Sequence, residues 1–186
     1  WNVARSQAQI QTQINAGLAG NESVLVGLWR FDEGAGFKAS DASGNGNDAG
    51  LGSVVNARPL WLTPGTGNGL LFDGANDYVE AASSASLKVQ NAITLSAWIK
   101  PLTTNSNFPA ILSKESNTFG NESYVFGIRN NHLYAEITTT TGNLYRETST
   151  NVVTLNAWPH ISLTYDSAAT VLKLYRKGDH VQQFTD

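Results

Sequence analysis

Cysteine and methionine are both absent from this 186-residue chain. Without cysteine there can be no disulfide and no thiolate metal site, and the redox compartment is left open. Without an initiator methionine, the numbered sequence reads as a processed product or a fragment. Charge is also sparse. Charged residues make up 15% of the chain and the formal net charge is −3, with the twelve Lys and Arg scattered rather than clustered. That excludes the basic face that nucleic acid requires. No apolar run reaches the length of a membrane span and no signal peptide is visible, so direct membrane insertion is not expected. Glycine, asparagine, threonine and serine are plentiful, a composition that fits an extracellular or cell-surface β-protein.

The stretch Leu25 to Gly50, LVGLWRFDEGAGFKASDASGNGNDAG, organises the reading. Its first half alternates, with Leu25, Trp29 and Phe31 on one side and Val26, Leu28 and Arg30 on the other, and predicts a strand over Val24–Phe31 lying between two layers. Its second half, DASGNGNDAG, is too rich in glycine and in Asx residues for a regular element. Further strands are expected at Pro59–Leu62, Gly69–Phe72, Tyr78–Ala81, Ile93–Lys100, Ala110–Lys114, Tyr124–Arg129, His132–Thr139, Leu144–Glu147, His160–Tyr165 and Thr170–Arg176. Asn130-Asn131 is a tight-turn dipeptide between two of them. At the front, Ser6 and Gln9 form a capping-box pattern. Ile10, Ile14 and Leu18 recur every four residues before Gly17 and Gly20, which predicts one short amphipathic helix. Many short strands without internal helices mean an all-β antiparallel jelly-roll sandwich led by that helix.

The W-x-F-D-E-G-x-G and D-x-S-G-N-G-N blocks, followed by LLFDGANDYVE, ITLSAWIKP and WPHISLTYD, resemble a laminin-G-like domain of the concanavalin A-like lectin/glucanase superfamily. The resemblance implies a domain over residues 21–186 that lacks its last strands. The opening WNVARS resembles the end of such a domain, so residues 1–20 read as the tail of a preceding repeat plus a linker helix. The strands missing after Lys177-Gly178 could be cut away, left out of the numbered chain or supplied by a neighbour.

Catalysis is not expected. The glucanases of this superfamily carry acids at alternating strand positions, and no two of the fifteen acids here stand at i and i+2. His132, His160 and His180 are far apart and show no zinc-ligand spacing, and His160 reads as a surface strand residue. Calcium is the candidate cofactor, in a structural role. Asp41, Ser43, Asn45 and Asn47 fall at positions 1, 3, 5 and 7 of a calcium-loop spacing with Gly46 at position 6, although Gly52 stands where a bidentate Glu would be. Asp73, Asn76 or Asp77 of the FDGANDY loop could add oxygens. The resemblance favours Asp41, and the candidate ligand set is Asp41, Asn45, Asn47 and Asp73. The alternative is that these residues only make turns.

Trp29, Trp98, Tyr124 and Phe126 are expected in the core. Trp61, Tyr134 and Tyr145 are the candidate ligand-binding rings, with Trp61, set between Pro59 and Pro64, equally able to cap a sheet edge. Asn21 and Asn121 head glycosylation tripeptides. Two functions follow. The first is a non-catalytic recognition or adhesion module for a glycan or a cell-surface or matrix protein. The second is a structural tandem repeat whose partners are neighbouring copies of the same domain. A glycan-active enzyme is the weakest third.

Overall fold

The computed structural model describes residues 1–62, 68–89, 91–103, 109–114, 124–139 and 142–185. Pro64 and the Asn121 tripeptide lie outside them. The chain forms two compact units, one of Leu18–Lys88 and one that joins Trp1–Gly17 to Val89–Asp186.

In the Leu18–Lys88 unit, β1 (Lys38–Ala39), β2 (Ala49–Leu51) and β5 (Val79–Ala81) form an antiparallel sheet in the order β1-β2-β5. A second pair joins β3 (Leu60–Trp61) to β4 (Leu70–Leu71). Ala39, Ala49 and Leu51 are buried at the centre, with Trp29, Phe31, Trp61, Leu70, Val79 and Ala81 packed around them. The strand expected over Val24–Phe31 does not form; only Trp29 bridges, to Asp41. Val24 and Phe31 turn to positive φ (62° and 53°) at its two ends. Its backbone groups are satisfied by side chains instead. Asn45 and Asn47 donate through Nδ2 to the carbonyls of Leu25 and Val26, and Leu28 N–H donates to Asp41 Oδ1. A segment whose polar groups are met this way needs no ladder partner.

The other unit is a sandwich. One four-stranded antiparallel sheet runs β10-β9-β8-β7, built from β7 (Ala110–Lys114), β8 (Tyr124–Arg129), β9 (His132–Thr139) and β10 (Gly142–Glu147). The other runs β13-β12-β11-β6, from β6 (Ala92–Trp98), β11 (His160–Asp166), β12 (Val171–Arg176) and β13 (Asp179–Thr185). Alternate residues meet between them: Phe126, Ile128, Leu133 and Ile137 from the first sheet, and Ile93, Leu95, Ile161, Leu163, Leu172 and Leu174 from the second. The β8–β9 turn is the expected Asn130-Asn131, both at positive φ (48° and 68°), which suits the twist of a two-residue hairpin. Lys177-Gly178 (φ 54° and 80°) turns the chain in the same way into β13, a strand that the periodicity does not flag.

The N-terminal helix α1 (Gln7–Ala16) forms as its caps dictate. Ser6 Oγ accepts from Gln9 N–H, Gln9 Oε1 accepts from Ser6 N–H, and Gly17 closes the far end at φ 73°. Ile10 is fully buried. One isolated 3-10 turn, at Val55–Ala57, is the other helical piece among the described residues.

Candidate functional site

The outer face of the β10-β9-β8-β7 sheet gathers aromatic and charged groups. Residues paired across strands point to the same side of a sheet. The register places Gly127, Tyr134 and Glu147 in one row and Val125, Glu136 and Tyr145 in the next, with Arg129 opposite His132. All lie on the side away from Phe126 and Ala135.

Tyr134 lies over Gly127. A Cβ at position 127 would stand 2.6 Å from Tyr134 Cε1, so only glycine lets the ring down onto the strand. Tyr145 stacks on Tyr134 with ring centroids 6.2 Å apart and planes 29° apart. The Tyr145 hydroxyl donates to Glu147 Oε2 at 2.7 Å and accepts from Arg129 Nη1 at 3.3 Å. Arg129 Nη1 also pairs with Glu147 Oε2 at 3.1 Å. Beside them, Asn143 Nδ2 donates to Glu136 Oε1 at 3.4 Å. Burial and the bond to Glu147 raise the Tyr145 phenol above its ordinary value, so the ring stays neutral. The result is a fixed aromatic surface rimmed by carboxylates, a guanidinium and an amide. Such a surface can stack against a sugar ring and bond its hydroxyls.

Of the rings expected to bind ligand, Tyr145 is 36% exposed and Tyr134 only 1%. Tyr134 is therefore not a contact ring. It supports Tyr145 from below, because its side chain fills the space above Gly127. Trp61 is half-buried in the other unit, where its Nε1 donates to Gly36 O at 2.9 Å, the packing alternative for that residue.

Two further expectations are reversed. Trp98, expected in the core, is 54% exposed, and His160, expected on the surface, is 6% exposed. Alternation explains the first, and the Trp98 ring lying against the imidazole helps cover the second. Ile93, Leu95 and Ala97 take the inner face of β6, so Trp98 points outward, beside its register partner His160. Burial lowers the His160 pKa from 6.5 to about 4, so the imidazole is neutral.

The Asp41 loop is held by its own hydrogen bonds. Oδ1 accepts from the N–H groups of Leu28 and Ser43, and Oδ2 from Ser43 Oγ and Asn47 N–H, at 2.8–3.0 Å. Burial pushes this carboxyl up, but the bonds from Ser43, Leu28 and Asn47 outweigh it and hold the pKa below the usual range. Asn47 Oδ1 accepts from Ser84 and Ser86, Asn45 Nδ2 faces Leu25 O and Ser43 Oγ, and Asp73 Oδ1 accepts from Ala75 N–H. An ion would have to displace these donors. Among the described residues no three His, Asp or Glu converge as a metal site would require. This donor set fits a hydrogen-bonded turn, not a Ca²⁺ cage.

A family model described as the Concanavalin A-like lectin/glucanases superfamily matches residues 73–186. No curated protein matches the chain. Similar solved structures include two toxin chains and a sialidase domain. The binding domain of Paraclostridial Mosquitocidal Protein 1 has a TM-score of 0.52 at 17% identity, over 80% of this chain and 39% of that one. A botulinum neurotoxin type C chain, whose structure concerns interaction with two ganglioside molecules, has a TM-score of 0.53 at 16% identity, over 84% and 37%. The CBM40 domain of a Ruminococcus gnavus IT-sialidase, bound to α2,3-sialyllactose, has a TM-score of 0.47 at 19% identity, over 55% and 57%. This chain thus spans less than two thirds of each of them, and the likeness to the two toxin chains is one of fold.

Proposed function

Because this chain belongs to the concanavalin A-like lectin/glucanases superfamily, we propose that it is a non-catalytic glycan-recognition module acting outside the cell or at its surface. The observation that carries this reading is Tyr145. It is an exposed ring held by the stack on Tyr134 and by bonds to Glu147 and Arg129, on the outer face of a rigid sheet. A ring fixed before the ligand arrives loses little entropy on binding. The two toxin structures, one a binding domain and one concerned with gangliosides, support recognition by this sandwich type without identifying the ligand. No two acids stand at i and i+2 along one strand, the spacing of the superfamily's glucanases, which supports a non-catalytic role although Glu136 and Glu147 share this face from adjacent strands.

The test is a glycan array probed with the folded chain and with Tyr145→Ala. Specific hits that the variant loses are the expected result. An array silent for folded wild-type chain, or hits indifferent to Tyr145, would overturn the reading.

A further inference from the structure

Four exposed apolar side chains gather at one end of the β13-β12-β11-β6 sheet. Trp98 and Leu102 come from the end of β6 and the chain leaving it, Leu155 and Trp158 from the chain entering β11, and each is between 38% and 54% exposed. Backbone bonds tie the two stretches together. Trp98 is the register partner of His160, Ile99 N–H donates to Pro159 O at 3.2 Å, and Asn156 N–H donates to Pro101 O at 2.8 Å. The Asn156 bond brings the chain at Leu155 against the chain at Leu102. The Ile99 bond brings the chain at Trp158 against Lys100, which is exposed. Pro101 and Pro159 each fix a backbone angle there, which stiffens the pair of stretches.

The charge these stretches carry has one sign. No Asp or Glu stands between Glu80 and Glu115 or between Glu147 and Asp166, so neither stretch holds an acid, and Lys100 is the charge set among the four side chains. That makes the surface complementary to an anionic layer. The kinds of residue narrow the partner further. Indole rings are amphipathic and collect where hydrocarbon meets water, and leucine adds purely apolar contact. A sugar stacks on flat rings and gains nothing comparable from leucine. A specific protein partner needs about 800 Å² of matched surface on each side, more than four half-exposed side chains supply. A lipid headgroup layer demands no matching shape.

We propose that residues 98–102 and 155–158 form a membrane-seating surface whose partner is the headgroup layer of a phospholipid bilayer. Trp98, Leu102, Leu155 and Trp158 enter the boundary between headgroups and acyl chains, and Lys100 stays at the phosphates. This is a seat and not a span: no helix of the described residues is long and apolar enough to cross a membrane. Four partly exposed side chains grip less than a myristoyl chain, whose binding constant is about 10⁴ M⁻¹, so half-binding should need roughly millimolar lipid. The inference does not rest on the glycan reading, since Tyr145 belongs to the other sheet.

The test is flotation of the folded chain with vesicles of phosphatidylcholine alone and with vesicles that also carry phosphatidylserine. The chain should float with both, about fivefold more tightly with the anionic ones, the effect of one lysine near such a surface. Lys100→Glu should abolish that preference. Brominated acyl chains should quench the indole fluorescence of the wild type, a reading that needs no variant. Leu102→Ser combined with Trp158→Ser, both at exposed positions, should weaken vesicle binding about tenfold or more while the melting temperature and the Tyr145-dependent glycan hits stay as they are. No flotation at roughly millimolar lipid, flotation without quenching, or a double variant that floats like the wild type would each overturn the proposal. So would binding that appears only when the vesicles carry a glycolipid, which would make this surface a sugar site.

Discussion

Trp98 covers His160: the two are register partners across β6 and β11, with ring centroids 5.3 Å apart in an edge-to-face arrangement. The indole is half in solvent and the imidazole is buried, with Ser162 Oγ 3.3 Å from its Nδ1. Burial holds the His160 pKa near 4 in the folded chain, whereas an unfolded histidine takes up its proton near 6.5. Between these values the unfolded state binds more protons, so stability is full above pH 6.5 and falls as pH drops toward 4. We expect a loss of about 2 kcal/mol across that window in urea melts of the wild type, and a flatter profile for His160→Gln. Equal slopes for the two proteins would show that His160 does not titrate as described.

Asp41 closes its loop by accepting from Leu28, Ser43 and Asn47, and those bonds also fix the segment that precedes it. Removing the carboxylate leaves several donors without a partner, and Asp41→Ala should cost about 2 to 3 kcal/mol in denaturant melts. Since the loop is complete without an ion, EGTA should leave the melting temperature unchanged and added Ca²⁺ should not raise it. A clear Ca²⁺-dependent rise, lost in Asp41→Ala, would restore the ion to this loop.

Gly127→Ala tests whether Tyr134 props up the binding face. The new methyl would meet the Tyr134 ring and Pro109 O, backbone that cannot simply move aside. The strain should cost about 1 to 3 kcal/mol and tilt Tyr145 with its partner, weakening glycan binding beyond what Tyr134→Phe does. If Gly127→Ala melts and binds like the wild type, the face does not depend on this close approach.

The sandwich strands were legible because alternation and turn chemistry agree there. Ala110–Lys114, Tyr124–Arg129 and His132–Thr139 are bounded as expected, and Asn130-Asn131 supplies its turn. Val24–Phe31 misled because it alternates like a strand while its hydrogen bonds go to the side chains of Asp41, Asn45 and Asn47, which periodicity does not register. The two-residue and three-residue strands β1 and β2 are too short to show a period. Tyr145 could be flagged as an unconstrained ring and Glu147, two residues on, shares its face by alternation, but Arg129 comes from another strand and emerges only with the register. Arg129 was the missed residue, and no local motif surrounds it.

The charge of the face sets what it should prefer. Glu136 and Glu147 stand on it, and Arg129 Nη1 is already engaged by Glu147 and the Tyr145 hydroxyl. A sialic acid carboxylate would meet two like charges and would have to compete with Glu147 for the guanidinium. A neutral hexose, or an amino sugar carrying positive charge, meets acceptors instead. Desialylated glycans should therefore bind about tenfold more tightly than their sialylated forms, a difference near 1.4 kcal/mol. Glu136→Gln should narrow that ratio without shifting the melting temperature, while Tyr145→Ala should weaken both classes together. Calorimetric titration with matched glycan pairs measures each ratio. Tighter binding of the sialylated member by wild type would mean that Arg129 exchanges Glu147 for the ligand, and would reverse the assignment of the face as acidic.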